Sequence, residues 1–193
     1  KLILPKKREA LFDIVKEKVL AWNIIVIPPK DIDAALNNPD LNLNKLEALT
    51  SVKVIQNIVK DTEHKPISVM LDSPTNTPAP YIQFVKTALK NDDIEIKAEI
   101  KADANYASVS AASVLAKVTR DRIIEKMQEQ ATKELGKEIQ MGSGYPSDPK
   151  TKEFIAKYWN KLDAVEGGFF RKTWSTYKKI ADEHKQKGLN DFS

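Results

Sequence analysis

Two aspartates stand where carboxylates could do chemistry. Asp72 ends the apolar run Val69-Met70-Leu71 and is followed by Ser73-Pro74, so it sits where a buried strand gives way to a loop. Open α/β sheets bind ligands just outside the carboxyl ends of their strands. Asp103 lies in Lys101-Ala102-Asp103-Ala104-Asn105-Tyr106, after a second strand-like run and before a helix. Hard divalent cations used in phosphoryl transfer need carboxylates brought together from separate elements. Each aspartate also has a plainer reading, Asp72 as an Asx turn and Asp103 as a carboxylate favoured at a helix N-terminus.

The helix after Asp103 divides its faces. At 100° per residue Ser110, Ser113, Lys117 and Arg120 share an arc of about 80°, while Ala111, Val114, Leu115 and Val118 gather elsewhere. Hydroxyls at successive turns leading into two cations suit phosphate oxygens; the alternative is a solvated charged face. Further on, Gly142-Ser143-Gly144-Tyr145-Pro146-Ser147-Asp148-Pro149 sets an aromatic on a tight turn. A tyrosine on such a turn offers a stacking surface for a sugar or base, or else covers the edge of a core. Basic and aromatic residues mix again at Arg171, Lys172 and Trp174, although a tryptophan at a helix start reads first as core.

Composition narrows the chemistry. Cysteine is absent and the two histidines, His64 and His184, are isolated, which excludes disulfides, thiolate catalysis and cysteine zinc sites. A metal held here must take oxygen ligands, as magnesium and manganese do. Thirty-one Lys and Arg against 27 Asp and Glu leave a net charge of +4, a mild excess compatible with a polyanionic partner. With 41% hydrophobic and 30% charged residues, the 193-residue chain can bury a real core. Neither a membrane-spanning run nor a signal peptide is legible, so a cytoplasmic location is expected.

The elements that must position these groups read as follows. Pro5 opens an amphipathic helix carrying Leu11, Ile14, Val15, Val19 and Trp22 at helical spacing. Residues 24–27 form a β-branched run stopped by Pro28-Pro29 and are predicted as a strand. Short and long helices follow over 31–36 and 45–59, a buried strand over 67–71, a helical pattern that Pro78 and Pro80 precede and that runs to Leu89, and a half-buried strand over 94–100. Helices are predicted over 108–135, 151–162 and 172–185. Strands alternating with helices imply an α/β domain with a parallel or mixed sheet and a helical C-terminal portion.

The segments 101–104, 109–121 (Val-Ser-Ala-Ala-Ser-Val-Leu-Ala-Lys-Val-Thr-Arg-Asp) and 142–151 strongly resemble ribonuclease HII, the type 2 ribonuclease H, in its archaeal-like form. The likeness extends over Lys1-Leu2 with Pro5-Lys6-Lys7-Arg8-Glu9, Asn42-Leu43-Asn44, Leu71-Asp72-Ser73 and Arg171-Lys172-Thr173-Trp174. It implies an RNase H-like mixed sheet flanked by helices, over an N-terminally incomplete catalytic core at 1–140 and a substrate-reading loop and helical lobe at 141–185. It implies a monomeric endonuclease of replication and repair that cuts the RNA strand of RNA/DNA hybrids and ribonucleotides embedded in duplex DNA. Cleavage would use two divalent ions, Mg2+ or Mn2+, and leave 3′-hydroxyl and 5′-phosphate ends. Asp72 and Asp103 match two of the family's four metal-binding carboxylates, Tyr145 the tyrosine that stacks on a sugar, and Lys117 and Arg120 substrate-phosphate contacts. The other two carboxylates belong to a segment reading Asp-Glu-Ala-Gly-Arg-Gly, whose Gly-Arg-Gly also reads the 2′-hydroxyl, and this sequence contains no such segment. Lys1-Leu2 matches the family well downstream of it, so the first strands of the sheet are expected to be missing from these residues. The alternative is a catalytically incompetent fragment that binds nucleic acid or a clamp.

At the C-terminus Gln186, Leu189 and Phe192 follow one another at three-residue steps. That spacing within 186–193 resembles the peptide by which replication and repair enzymes dock on the DNA sliding clamp, although Ser193 stands where a second aromatic is usual. A frayed helix end is the equal alternative.

Overall fold

The computed structural model describes residues 4–63, 66–162 and 168–190. The elements run in the order α1 (Pro5–Lys18), α2 (Pro29–Leu36), α3 (Leu43–Asp61), β1 (Ser68–Asp72), α4 (Pro78–Leu89), β2 (Glu95–Glu99), α5 (Ala102–Asn105), α6 (Ala107–Leu135), α7 (Pro149–Tyr158) and α8 (Ser175–Asn190). Proline opens α1, α2, α4 and α7, where its missing N–H costs nothing and its fixed φ suits the first turn. The Asn42 side chain caps α3 by accepting from the N–H of Lys45 at 3.0 Å.

The chain forms two compact units, one of residues 1–26 with 40–119 and one of 27–39 with 120–193. The division read from the sequence placed the break after residue 140 and kept 27–39 with the first part. Contacts instead put the second half of α6 and the α2 segment with the C-terminal elements.

In the first unit β1 and β2 pair in parallel, Ser68 opposite Glu95 through Asp72 opposite Glu99. β2 alternates strictly, with Ile96 and Ala98 buried and Glu95, Lys97 and Glu99 exposed. Its buried face joins Tyr81, Val85 and Leu89 of α4 and Ala48, Val52 and Ile55 of α3 in one core. This helical cover is what a parallel pair with one apolar face requires. A second cluster sets Phe12 of α1 against Val114, Leu115 and Val118 of α6, the stripe the periodicity assigned to packing.

Two elements predicted within the first 27 residues differ. Residues 24–27 carry no strand: a β-branched run becomes a strand only when an edge is there to pair with it, and Ile24 packs on the Phe12 cluster instead. Trp22 lies beyond the end of α1, with Lys16 Nζ 4.5 Å from its ring centroid.

The second unit is built on aromatics. Phe154 meets Tyr158 and Phe170 at centroid distances of 5.3 and 5.7 Å, and Phe170 meets Tyr177 at 5.6 Å. Ile139, Met141, Ile155 and Leu162 complete that core. α7 ends at Tyr158 rather than Leu162, and α8 starts at Ser175 and continues to Asn190, beyond the predicted end at 185. His184 stacks on Trp159 at 6.1 Å.

The α2 segment is tied to this unit by Asp33. Its carboxylate accepts the N–H of Lys172 at 2.6 Å, the N–H of Thr173 at 3.0 Å and the Thr173 hydroxyl at 2.5 Å. Removing the acceptor strands two main-chain donors, and charged hydrogen bonds contribute about 1.5–3 kcal/mol each. Asp33→Ala is therefore expected to lower unfolding free energy by roughly 2–3 kcal/mol. Urea titration of the two proteins checks this, and an unchanged midpoint refutes the clasp.

Candidate functional site

Asp72 ends β1 opposite Glu99, the last residue of β2, and Asp103 lies four residues further on, in α5. Asp72 closes β1, and its Oδ1 accepts the N–H of Ala102 at 3.0 Å. That bond reaches across the sheet end, because Asp72 faces Glu99 in register and the N–H of Ser73 already donates to the Glu99 carbonyl at 2.8 Å. Between Glu99 and Ala102 the chain reverses through Lys101, whose φ of 58° is left-handed. A non-glycine residue holds that conformation only when its surroundings impose it. The Asp72–Ala102 bond and the bond from Ala104 N–H to the Lys101 carbonyl, 3.0 Å, do so here. Asp103 is thereby delivered beside the residue that Asp72 holds.

Asp103 is met from α6. Its Oδ2 lies 3.3 Å from Lys117 Nζ and 3.4 Å from Ser113 Oγ. Ser110 sits half-buried one turn earlier, its N–H bonded to the Tyr106 carbonyl at 2.9 Å. Of the predicted polar stripe, Ser113 and Lys117 thus converge on Asp103. The Tyr106 hydroxyl donates to Glu99 Oε1 at 2.5 Å, which raises the tyrosine's proton affinity and closes the 99–106 turn from its far side.

Two groups near Asp72 escaped the sequence reading. Burial first, and the charge of Asp72 second, push the Glu47 carboxyl of α3 above the ordinary range. The buried Tyr81 of α4 is raised as well, by desolvation and by the charges of Glu47 and Asp72, against a lowering bond to Ser51. Glu47 looks in sequence like any acid in the first turns of a helix. Its place beside Asp72 comes only from packing α3 on the sheet.

Oxygen donors of this kind suit a hard divalent cation. Among the described residues no three His, Cys, Asp or Glu side chains are grouped closely enough to form a complete metal cage. An ion such as Mg2+ needs few protein carboxylates, because it retains waters and takes substrate phosphate as a further ligand.

In the second unit the 142–149 loop is a stiff support for Tyr145. Gly142 and Gly144 both have φ of +71°. A Cβ on Gly142 would lie 2.6 Å from Asp148 Oδ2, and one on Gly144 would lie 2.8 Å from Ile124 Cδ1. Asp148 accepts the Ser143 N–H at 2.6 Å and, as the cap of α7, the Lys150 N–H at 3.0 Å. Thr151 is the buried polar residue of the described chain; its hydroxyl accepts the Gly144 N–H and donates to the Met141 carbonyl, both at 3.0 Å. On this frame Tyr145 is 47% exposed, with the Arg120 guanidinium carbon 3.7 Å from its ring centroid. Arg120 therefore meets an aromatic ring here.

The tail residues divide. Gln186 is exposed on α8 and Leu189 falls in the same helix, while Phe192 lies outside the described residues. No described helix is long and apolar enough to cross a membrane.

Parallel strands covered by helices define an α/β protein, the class whose open sheets bind ligands at the carboxyl ends of their strands. The family model for Ribonuclease HII matches residues 1–177. The chain is 39% identical over 183 residues to a ribonuclease HII of Methanococcus maripaludis strain C7, covering 95% of this chain and 71% of that one. It is similar to the crystal structure of the ribonuclease H2 from Pyrococcus horikoshii OT3, with a TM-score of 0.77 and 34% identity over 95% of this chain and 79% of that one. It is also similar to the enzyme in the PCNA:RNase HII complex from Archaeoglobus fulgidus, with a TM-score of 0.74 and 25% identity, covering 93% and 78% of the two chains. The chain belongs to the ribonuclease HII family and is a type 2 ribonuclease H, an endoribonuclease.

The loop carries a pH dependence of definite sign. Hydrogen bonds from Ser143 hold the Asp148 carboxyl below the ordinary aspartate range, with the Lys150 N–H and charge adding to them. Its contribution to loop order is complete above the unfolded aspartate pKa and is lost as pH falls through the lowered folded value. An NMR titration of the Ser143 and Lys150 amides is expected to show a midpoint below that of a free aspartate, and Asp148→Asn to abolish it. A midpoint in the ordinary range contradicts the assignment.

Proposed function

We propose that the chain hydrolyses the RNA strand of RNA/DNA hybrids, and ribonucleotides embedded in duplex DNA, by a two-metal route that leaves 3′-hydroxyl and 5′-phosphate ends. The observation that carries the reading is that Asp72, at the end of β1, accepts the N–H of Ala102, the residue that directly precedes Asp103. These two residues would hold Mg2+ or Mn2+, which when bound makes water a better nucleophile and stabilises the charge that builds on phosphorus. The chain's own part is to orient. Asp72 keeps one oxygen on Ala102, so the second projects from a fixed carboxylate. Lys117 supplies positive charge at Asp103 and, with Ser113 and Ser110, forms a polar face suited to backbone phosphate. Tyr145 presents a ring on which a substrate sugar can stack.

Asp72→Asn and Asp103→Asn preserve shape while removing charge. Each is expected to reduce metal-dependent cleavage of an RNA/DNA hybrid by at least about a thousandfold, with the fold retained and hybrid binding little changed. Turnover near that of the parent in either variant removes the assignment.

A second reading concerns the tail. Similarity to the enzyme in the PCNA complex, together with the Gln186, Leu189 and Phe192 spacing, supports docking on the DNA sliding clamp. Such a peptide would seat Leu189 and Phe192 in one apolar pocket and set its register through Gln186. Calorimetric titration into the cognate clamp is expected to give heat that vanishes in the Leu189→Ala, Phe192→Ala double variant. Equal heat from both proteins excludes the tail as the docking element.

A further inference from the structure

Arg120 and Tyr145 form one element of the second unit. The Arg120 guanidinium carbon is 3.7 Å from the centre of the Tyr145 ring. An in-plane approach cannot bring a group that near, since edge contacts keep centroids at about 4.5 Å or more, so the guanidinium lies on the ring's face. Two further features fit this position. Gly144 leaves room for it, because a Cβ there would lie 3.0 Å from Arg120 Nη2. The next residue, Asp121, places a carboxylate oxygen 3.7 Å from Arg120 Nη1, so the cation already has a counter-charge on its own helix.

We infer that Arg120 is a positioning residue for Tyr145: it covers one face of the ring, fixes its tilt and leaves the opposite face to a substrate sugar. The guanidinium is suited to this because it is planar and stacks, whereas a lysine ammonium is a compact, strongly hydrated charge that does not match the ring. The main-chain side of the same support is already rigid, through Asp148 and Thr151. What those bonds do not control is rotation of the tyrosine side chain, and a cation on one face restricts that freedom. The proposal rests on the sugar-stacking reading of Tyr145, and its effect is on how well a lone ribonucleotide is read.

The test uses Arg120→Lys, Arg120→Gln, Tyr145→Ala and the double variant Arg120→Gln with Tyr145→Ala, each checked for an unchanged melting temperature. Two substrates are compared: a DNA duplex with one embedded ribonucleotide and a long RNA/DNA hybrid. Each Arg120 variant is expected to lose roughly 3- to 30-fold in kcat/KM at the single ribonucleotide and less on the hybrid. Lysine should not rescue, the slope of log affinity against log salt should stay unchanged, and the double variant should be no worse than Tyr145→Ala alone. The proposal is overturned by rescue with lysine, by losses that multiply in the double variant, or by a slope flatter by about one, the signature of a lost phosphate contact. Failure of the parent reading is visible separately, as equal losses on both substrates in Tyr145→Ala while the Arg120 effect still vanishes in the double variant.

Discussion

The parallel register between Ser68–Asp72 and Glu95–Glu99 is the constraint on which the candidate site depends. It places Asp72 opposite Glu99, so that the next three residues can turn back and offer the Ala102 N–H to the Asp72 carboxylate. A slip of one residue would reverse every side chain of the strand and bring Ile96 and Ala98 out of the core. Burial of those residues beneath α4 and α3 therefore does more than stabilise the sheet. It sets the position of two carboxylates.

The two aspartates sit in different electrostatic surroundings. Asp103 has an ammonium and a hydroxyl on the same oxygen, whereas Asp72 has further acidic groups near it. Burial is the main cause of the raised Glu47 carboxyl and Tyr81 hydroxyl, and the charge of Asp72 adds to both. The left-handed Lys101 belongs to the same arrangement: strain of about 1 kcal/mol or more is held at the turn that delivers Asp103.

The second unit solves another problem, that of keeping an exposed aromatic ordered. Asp148 and Thr151 use their side chains to satisfy main-chain groups of the loop, and the two glycines occupy positions where a Cβ would strike neighbouring atoms. Ordering the loop in advance spares the conformational entropy that binding would otherwise cost. The Asp33 clasp does similar work at 171–173, joining segments 140 residues apart in sequence.

What was legible in the sequence was local or periodic. The alternation over 94–100 identified β2, Pro5 marked the start of α1, the stripe of Val114, Leu115 and Val118 identified the packed face of α6, and Asp72 and Asp103 stood out because each follows a strand. The polar stripe on α6 was legible as a face but not in its partners, since Ser113 and Lys117 turn to Asp103 while Arg120 turns to Tyr145. Residues 24–27 show the limit of propensity, because a strand exists only with an edge to pair against and that edge is not encoded in the run itself. Glu47 near Asp72 and Asp33 on Thr173 left no trace in spacing, for their partners lie far along the chain. The sequence by itself determined most of the elements, the packed faces of β2 and α6 and the choice of the two carboxylates, because these follow from backbone periodicity and residue chemistry. Which side chains meet was decided by tertiary structure alone, because hydrogen bonds and ring stacks depend on distances that only the packed chain sets.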